Sequence, residues 1–309
     1  MPKIPPVSLG LRNFLHTPNW RNQLRWRTMV WKGMANLGLT GLHALPVSRL
    51  WVELHRRRMP IKGLDPAFDR FQIVQVSDLH YSPMVWAKYL EQFVIWINEI
   101  HPDLIVVTGD LITGGYRFSR KVADVLGGLK AKHGVICTLG NHDYSVFGKS
   151  MPLEGIRRAN HLEDALQDAG LIVLRNEVLR IHHNGSKKPL TIVGLDDEWS
   201  GAIDPDAAWA NVNGDEAILC LNHNPANAEE LLPYPWQWML SGHTHGRQLA
   251  HGKLGQKFYG HLKRKYTHGY YAVADRHLYV NRGLSYGQRM KHWCRPEISI
   301  FRLKPEDQS

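Results

Sequence analysis

Phe71-Gln-Ile-Val-Gln-Val-Ser-Asp-Leu-His80 is an apolar run, rich in β-branched residues, that ends in polar ones. A run of that kind reads as a buried strand whose carboxyl end carries chemistry. Asp78 and His80 stand two apart at its end, so both can face one point. The pattern repeats downstream. Asp103-Leu-Ile-Val-Val-Thr-Gly-Asp110 is a second buried strand, closing on a glycine and a carboxylate. Gly134-Val-Ile-Cys-Thr-Leu-Gly-Asn-His-Asp143 is a third, ending in Gly140-Asn141-His142-Asp143. Amphipathic helices are expected between them, over about 84–100 and 118–131. In the first, Trp86, Leu90, Phe93, Ile97 and Ile100 recur at helical spacing and are read as core. Strand–helix alternation predicts a layered α/β domain, in which functional groups collect at the carboxyl ends of strands. One such residue is commonly a turn or a cap. Three successive strands ending in Asp/His, Asp and Asn/His are hard to explain by structure alone.

The second half continues the theme. A loop near the site entrance is expected over 148–160, a helix over 160–169 and a strand over 171–182. Asn184-Gly185-Ser186-Lys187-Lys188-Pro189 has the chemistry of a hairpin turn. The strand 190–197 ends in Asp196 and Asp197, where turn roles compete with functional ones. Ala217-Ile-Leu-Cys-Leu-Asn-His-Asn-Pro225 is another apolar strand, ending in His223, with a short helix expected over 226–231. Met239-Leu-Ser-Gly-His-Thr-His-Gly246 is a short strand running into a turn. On an extended backbone His243 and His245 leave the same face, and Gly242 and Gly246 let the chain turn and approach closely. A lone His-x-His is weak; its weight comes from the other strand ends. Residues 250–270 form a basic, aromatic loop, either solvated or in contact with an anionic substrate. Late strands are expected at 279–283 and 297–303, with a frayed tail at 305–309.

The collected groups are Asp78, His80, Asp110, Asn141, His223, His243 and His245. Carboxylate, amide and imidazole ligands together suit manganese, iron or zinc better than calcium or magnesium. Seven ligands are too many for one metal; with Asp110 bridging they serve two. A pair of cations can activate water and clamp the oxygens of an in-line displacement at phosphorus. His142, beside Asn141, is then available to donate a proton to the leaving oxygen or to neutralise phosphoryl charge.

Charge is distributed unevenly along the 309 residues. The net +10 lies entirely in residues 1–62, where eleven Lys/Arg meet only Glu53, and the rest of the chain is balanced. That segment interleaves Trp20, Trp26, Trp31 and Trp51 with arginines and ends near Arg56-Arg57-Arg58. Its longest uncharged stretch, 33–48, is too short to span a bilayer, and it has no typical signal-peptide pattern. Trp and Arg suit the headgroup region, so peripheral attachment to a membrane surface through residues 1–62 is expected. Packing on the catalytic body and nucleic-acid binding are the competing readings. Three cysteines, Cys137, Cys220 and Cys294, imply no disulfide framework and fit a reducing compartment.

Asp78-x-His80, Gly109-Asp110, Gly140-Asn141-His142-Asp143, His223 and Gly242-His243-x-His245 resemble, in order, the five motifs of the calcineurin-like metallophosphoesterases. The resemblance spans about 71–303. It implies a four-layer αββα sandwich with a dinuclear site at one edge of two sheets. It also implies a ligand split: Asp78, His80, Asp110 and His245 for one metal; Asp110, Asn141, His223 and His243 for the other. His142 matches the family's catalytic histidine, and Asp143 is a candidate to orient it or to meet substrate. Val74–His80, Gly242–Gly246, Tyr279-Val-Asn-Arg-Gly283 and Pro296-Glu297-Ile298 resemble one bacterial branch of the family. That branch holds membrane-associated phosphodiesterases and UDP-2,3-diacylglucosamine pyrophosphatases. The usual Gly-Gly-Gln after the second histidine appears here as Gly246-Arg247-Gln248, and Arg247 would add a guanidinium able to fork a phosphate.

The expected organisation is a basic, Trp-rich, helical segment over 1–70, a catalytic domain over 71–304 and a tail over 305–309. The expected activity is hydrolysis of phosphodiester or pyrophosphate bonds with two divalent metals, manganese first and iron or zinc next. The partner is an anionic phosphate substrate at the cytoplasmic face of the inner membrane. A nuclease and a non-catalytic scaffold on the same fold are the alternatives.

Overall fold

The computed structural model describes residues 52–83, 85–146, 153–247, 265–285 and 295–306. They fall in one compact unit, Arg49–Ser309. Two six-stranded sheets form its centre. The first contains β1 (Glu53–Lys62), β2 (Gln72–Val76), β3 (Leu104–Thr108), β4 (Val135–Thr138), β5 (Ile172–Val173) and β12 (Glu297–Glu306), in the order β1-β12-β2-β3-β4-β5. The second contains β6 (Glu177–Ile181), β7 (Leu190–Gly194), β8 (Ala217–Leu221), β9 (Trp238–Ser241), β10 (Gly269–Val273) and β11 (Arg276–Val280), in the order β10-β11-β9-β8-β7-β6.

Strand alternation decides which side chains lie between the sheets. Ile73, Leu104, Val106, Ile136 and Phe301 from the first meet Ile192, Leu219, Leu221, Trp238 and Leu240 from the second in one intersheet core. The alternate residues Val74, Ile105 and Val107 are equally buried on the other face of the first sheet. Both faces are therefore covered, which is why these strands read as nearly continuous apolar runs. Three helices, α1 (Ala87–Ile100), α2 (Ser119–Leu126) and α3 (Leu153–Asp168), connect the parallel strands β2 to β5 and pack side by side. The second sheet's outer layer is thin: α4 (Pro205–Trp209) and short 3-10 turns cover a cluster that includes Val193, Trp209, Ile218, Trp236 and Met239. The αββα layering expected of the family is present.

Several boundaries differ from expectation. Residues 53–62, assigned by sequence to the basic segment, form the first sheet's edge strand, parallel to β12. Met59 and Ile61 enter the core, and the Trp238 indole donates to the Pro60 carbonyl at 2.6 Å. The first sheet thus takes in residues from 53, inside the expected N-terminal segment, and its strand β12 runs through Glu306, into the expected tail at 305–309. Strand 171–182 is two strands in different sheets, and β10 occupies residues read as the end of a loop. The third helix begins at Leu153, inside the expected loop. Trp86, read as core, precedes α1 and is half exposed. Residues 1–51, most of the basic loop at 250–270 and Cys294 lie outside the described residues. Among those described, no helix is long and apolar enough to cross a membrane.

Candidate metal centre

The strands β2, β3 and β4 run parallel, as do β7, β8 and β9, and the two sets end at the same edge of the sandwich. A buried polar tie holds those ends together. The Gln75 amide donates to Thr108 Oγ1 and to the Ser241 carbonyl, each at 3.0 Å, joining the sheets. Asp78, His80, Asp110, His243 and His245 follow immediately, and all five have positive φ, between 47° and 68°. Non-glycine residues rarely adopt that region, and such strain clusters at functional sites. His243 and His245 therefore do not converge through an extended backbone, as their spacing suggested. Strand β9 has already ended, and His245 sits in a short 3-10 turn.

The seven sequence-predicted side chains converge on Asp110. Asp78, His80, Asp110 and His245 each place a ligand-type atom within 4.8 Å of the others, and Asp110, His223 and His243 form a second such group. His80 Nε2 lies 3.0 Å from His245 Nε2, 3.4 Å from Asp110 Oδ2 and 3.9 Å from Asp78 Oδ1. His245 Nε2 is 3.2 Å from Asp78 Oδ1. On the other side of Asp110 Oδ2, His223 Nε2 stands 3.2 Å away. Asn141 joins through its amide oxygen, 3.0 Å from His243 Nδ1.

Surrounding contacts fix these orientations. His223 Nδ1 meets the Thr108 carbonyl at 2.8 Å; a carbonyl only accepts, so Nδ1 carries a proton and Nε2 is turned toward Asp110. Asn141 Nδ2 donates to the Val146 carbonyl at 2.6 Å, which turns Oδ1 inward. The His243 amide donates to both Asp78 oxygens at 3.1 Å. Gly242 permits this approach: a Cβ there would collide with Ser77 Oγ and Asp78 Oδ2.

The electrostatics are those of a site short of positive charge. Burial pushes Asp78 up to about 6, against the pull of His223. It also pushes His80 down to about 3. Burial would raise Asp110 too, but His223 and His142 hold it well below the usual carboxylate range. Burial would lower His223, and the Asp110 carboxylate instead holds it up to about 10. Two imidazole nitrogens stand 3.0 Å apart beside two buried carboxylates, so four ligand-type atoms face one space. Divalent cations fit that donor set, and buried carboxylates need such compensation.

His142 lies at the rim, half-buried, its ring edge-on to His80 with centroids 4.5 Å apart. Its amide donates to Asp110 Oδ1 at 3.0 Å, and its Nδ1 meets the Thr113 carbonyl at 3.1 Å. Nδ1 therefore carries a proton. Asp143 does not fill the expected role. It is fully buried, and its two carboxylate oxygens accept from the amides of Ile112 and Gly140 at 3.0 and 2.9 Å. It braces the loop that carries Asn141 and His142, and burial together with the Asp110 charge raises it well above the carboxylate range. The Arg247 side chain lies outside the described residues. Asp196 and Asp197 take structural parts: Asp196 pairs with Arg175 at 2.8 Å, and Asp197 accepts from the Ser200 amide at 2.7 Å.

Sequence reasoning missed the supporting shell: Gln75, Thr108, Thr113 and Trp199. The Trp199 ring meets His243 edge-on with centroids 4.7 Å apart. Gln75 had a signal, being a polar residue inside an apolar strand. The carbonyls of Thr108 and Thr113 had none, because backbone acceptors leave no trace in residue type.

Comparison with known proteins agrees with this geometry. Residues 71–247 match the calcineurin-like phosphoesterase family. The uncharacterized metallophosphoesterase YkuE of Bacillus subtilis is 34% identical over 244 residues, 77% of this chain and 80% of that protein. The phosphodiesterase YaeI of Escherichia coli is 33% identical over 258 residues, 82% of this chain and 88% of its own. The UDP-2,3-diacylglucosamine pyrophosphatase LpxG of Chlamydia muridarum is 30% identical over 299 residues, 84% and 89% of the two chains. With the ordered motifs, the two-sheet sandwich and the clustered ligand-type side chains in agreement, the chain belongs to the calcineurin-like phosphoesterases and is a metallophosphoesterase.

Proposed function

We propose that the protein hydrolyses phosphodiester or pyrophosphate bonds with two divalent cations, manganese foremost, at a membrane surface. Asp78, His80, Asp110 and His245 would hold one cation, and Asp110, Asn141, His223 and His243 the other. The observation that carries this reading is Asp110 Oδ2, which faces His80 Nε2 at 3.4 Å and His223 Nε2 at 3.2 Å. One carboxylate oxygen between two imidazole sets would be available to both cations. When bound, the cations would supply Lewis acidity to the phosphoryl oxygens and to the attacking water.

The chain's own residues do the rest. His142, its Nδ1 proton committed to Thr113, delivers a proton from Nε2 to the leaving oxygen. Asp110 Oδ1 accepts from the His142 amide and so fixes the histidine's distance from the centre. Asp143 holds the same loop from beneath through the Gly140 amide.

A lipid- or nucleotide-linked diphosphate of the UDP-2,3-diacylglucosamine type is the proposed substrate, supported by the likeness to LpxG and by the basic, Trp-rich N-terminal sequence. The proposed location is the cytoplasmic side of the inner membrane, by peripheral attachment. The test is an activity screen after reconstitution with manganese, iron or zinc. It compares bis(p-nitrophenyl) phosphate, a diacylated sugar-nucleotide diphosphate and single-stranded DNA. Preference for the acylated diphosphate is expected; faster cleavage of DNA would replace this reading with a nuclease.

A further inference from the structure

The outer face of the β1–β12 pair carries cations at alternate positions. The parallel register sets Arg56 against Ile300, Arg58 against Arg302 and Pro60 against Lys304. Residues two apart on a strand share a face. Met59, Ile61, Phe301 and Leu303 take the inner one, which leaves Arg56, Arg58, Arg302 and Lys304 together on the outer one, all exposed. Arg58 and Arg302 are register partners of the same sign, a pairing that weakens a strand pair when nothing negative lies over it. Partial burial and the Arg302 charge hold Arg56 below its ordinary range. Of the nearby acids, Glu53 and Glu297 bind Arg282 at 3.0 and 2.6 Å, and exposed Glu306 lies at the far end of the pair, in register with Lys62. Arg57 points the other way and lies 4.1 Å over the Tyr270 ring.

We propose that this face of the catalytic domain docks on an anionic lipid bilayer, with Arg56, Arg58, Arg302 and Lys304 against the headgroups. Charge complementarity selects a polyanion. Lipid is favoured because the four cations stand on one open face of a strand pair, where a single-stranded nucleic acid would require a groove with stacking aromatics. The proposal rests on the membrane reading above and adds to it a docking surface within the folded domain, independent of residues 1–51.

The test is co-sedimentation of the full chain with vesicles of phosphatidylglycerol and phosphatidylcholine, against phosphatidylcholine alone, at low salt. Each cation near an anionic surface is worth roughly fivefold in binding. The variant R56Q/R58Q/R302Q/K304Q is therefore expected to bind the anionic vesicles about 100-fold or more weakly, while hydrolysing a soluble diester like wild type. Arg58→Gln alone should lose roughly fivefold, and R56K/R58K/R302K should bind as wild type. A fourfold variant that hydrolyses normally and binds vesicles normally overturns the proposal. So does a wild-type chain that prefers single-stranded DNA to vesicles at equal ionic strength. Failure of the hydrolase reading would show separately, as a wild type that binds vesicles but cleaves no diester.

Discussion

The buried carboxylate cluster around Asp196 is electrically complete, and the one around Asp110 is not. Around Asp196, Tyr144 donates to Oδ1 at 2.6 Å and Arg175 Nε to Oδ2 at 2.8 Å. The same guanidinium reaches the Tyr144 oxygen at 2.8 Å and Glu163 at 2.7 Å. Burial works against the Arg175 charge, and Asp196 more than offsets it, holding Arg175 above its ordinary range. Around Asp110 the partners are imidazoles and backbone amides, and Asp78 is pushed up to about 6 by burial. The first cluster carries its own cation and is a brace. The second converges acceptors on a shared space, with left-handed backbone at five of its residues. That arrangement is tolerable to a fold only where bound charge repays the strain.

The predictions divide along that line. Asp110→Ala removes the one carboxylate shared by both groups, and kcat/KM for bis(p-nitrophenyl) phosphate should fall by about 10⁴ or more with the fold intact by circular dichroism. His142→Ala should retain its metal, by elemental analysis, and lose about 10²–10⁴ in kcat; near-wild-type turnover would reject His142 as the proton donor. Arg175→Met strands Asp196 in the core and should destabilise by about 3–5 kcal/mol in urea titration, while the metal content stays unchanged. An Arg175 variant that loses metal but not stability would erase the distinction between the clusters.

The smallest effect is a pH slope. Without cations, the raised Asp78 contributes stability that is fully present below its unfolded value of 3.8 and lost as pH rises through about 6. The metal-stripped wild type should therefore lose stability over that window relative to Asp78→Asn, and manganese should reverse the difference, because it binds the deprotonated Asp78 and the asparagine variant lacks that ligand. Equal slopes in the two stripped proteins would mean that Asp78 carries no such penalty.

The ligand set was legible in the sequence because each ligand follows an apolar strand buried on both faces, and such runs end abruptly where chemistry begins. What sequence reading lost was strand β1. Its Arg56-Arg57-Arg58 and Pro60 read as a basic tail, yet an edge strand tolerates both, since only Met59 and Ile61 must face the core. Asp143 was misread for a different reason. Neighbours along a chain point apart, so adjacency to His142 carried no information about contact, and the carboxylate turned to the Ile112 and Gly140 amides. Convergence of His243 and His245 was expected for the wrong cause: left-handed turns direct them, and they serve different groups of ligands.

Metal stoichiometry decides the central claim most directly. Wild type stripped of ions, reconstituted with manganese and passed through a desalting column should retain two equivalents per chain, and Asp110→Ala should fail to retain both. A wild type that retains none, or an Asp110→Ala chain that still retains two, would contradict a paired-cation centre built on that carboxylate.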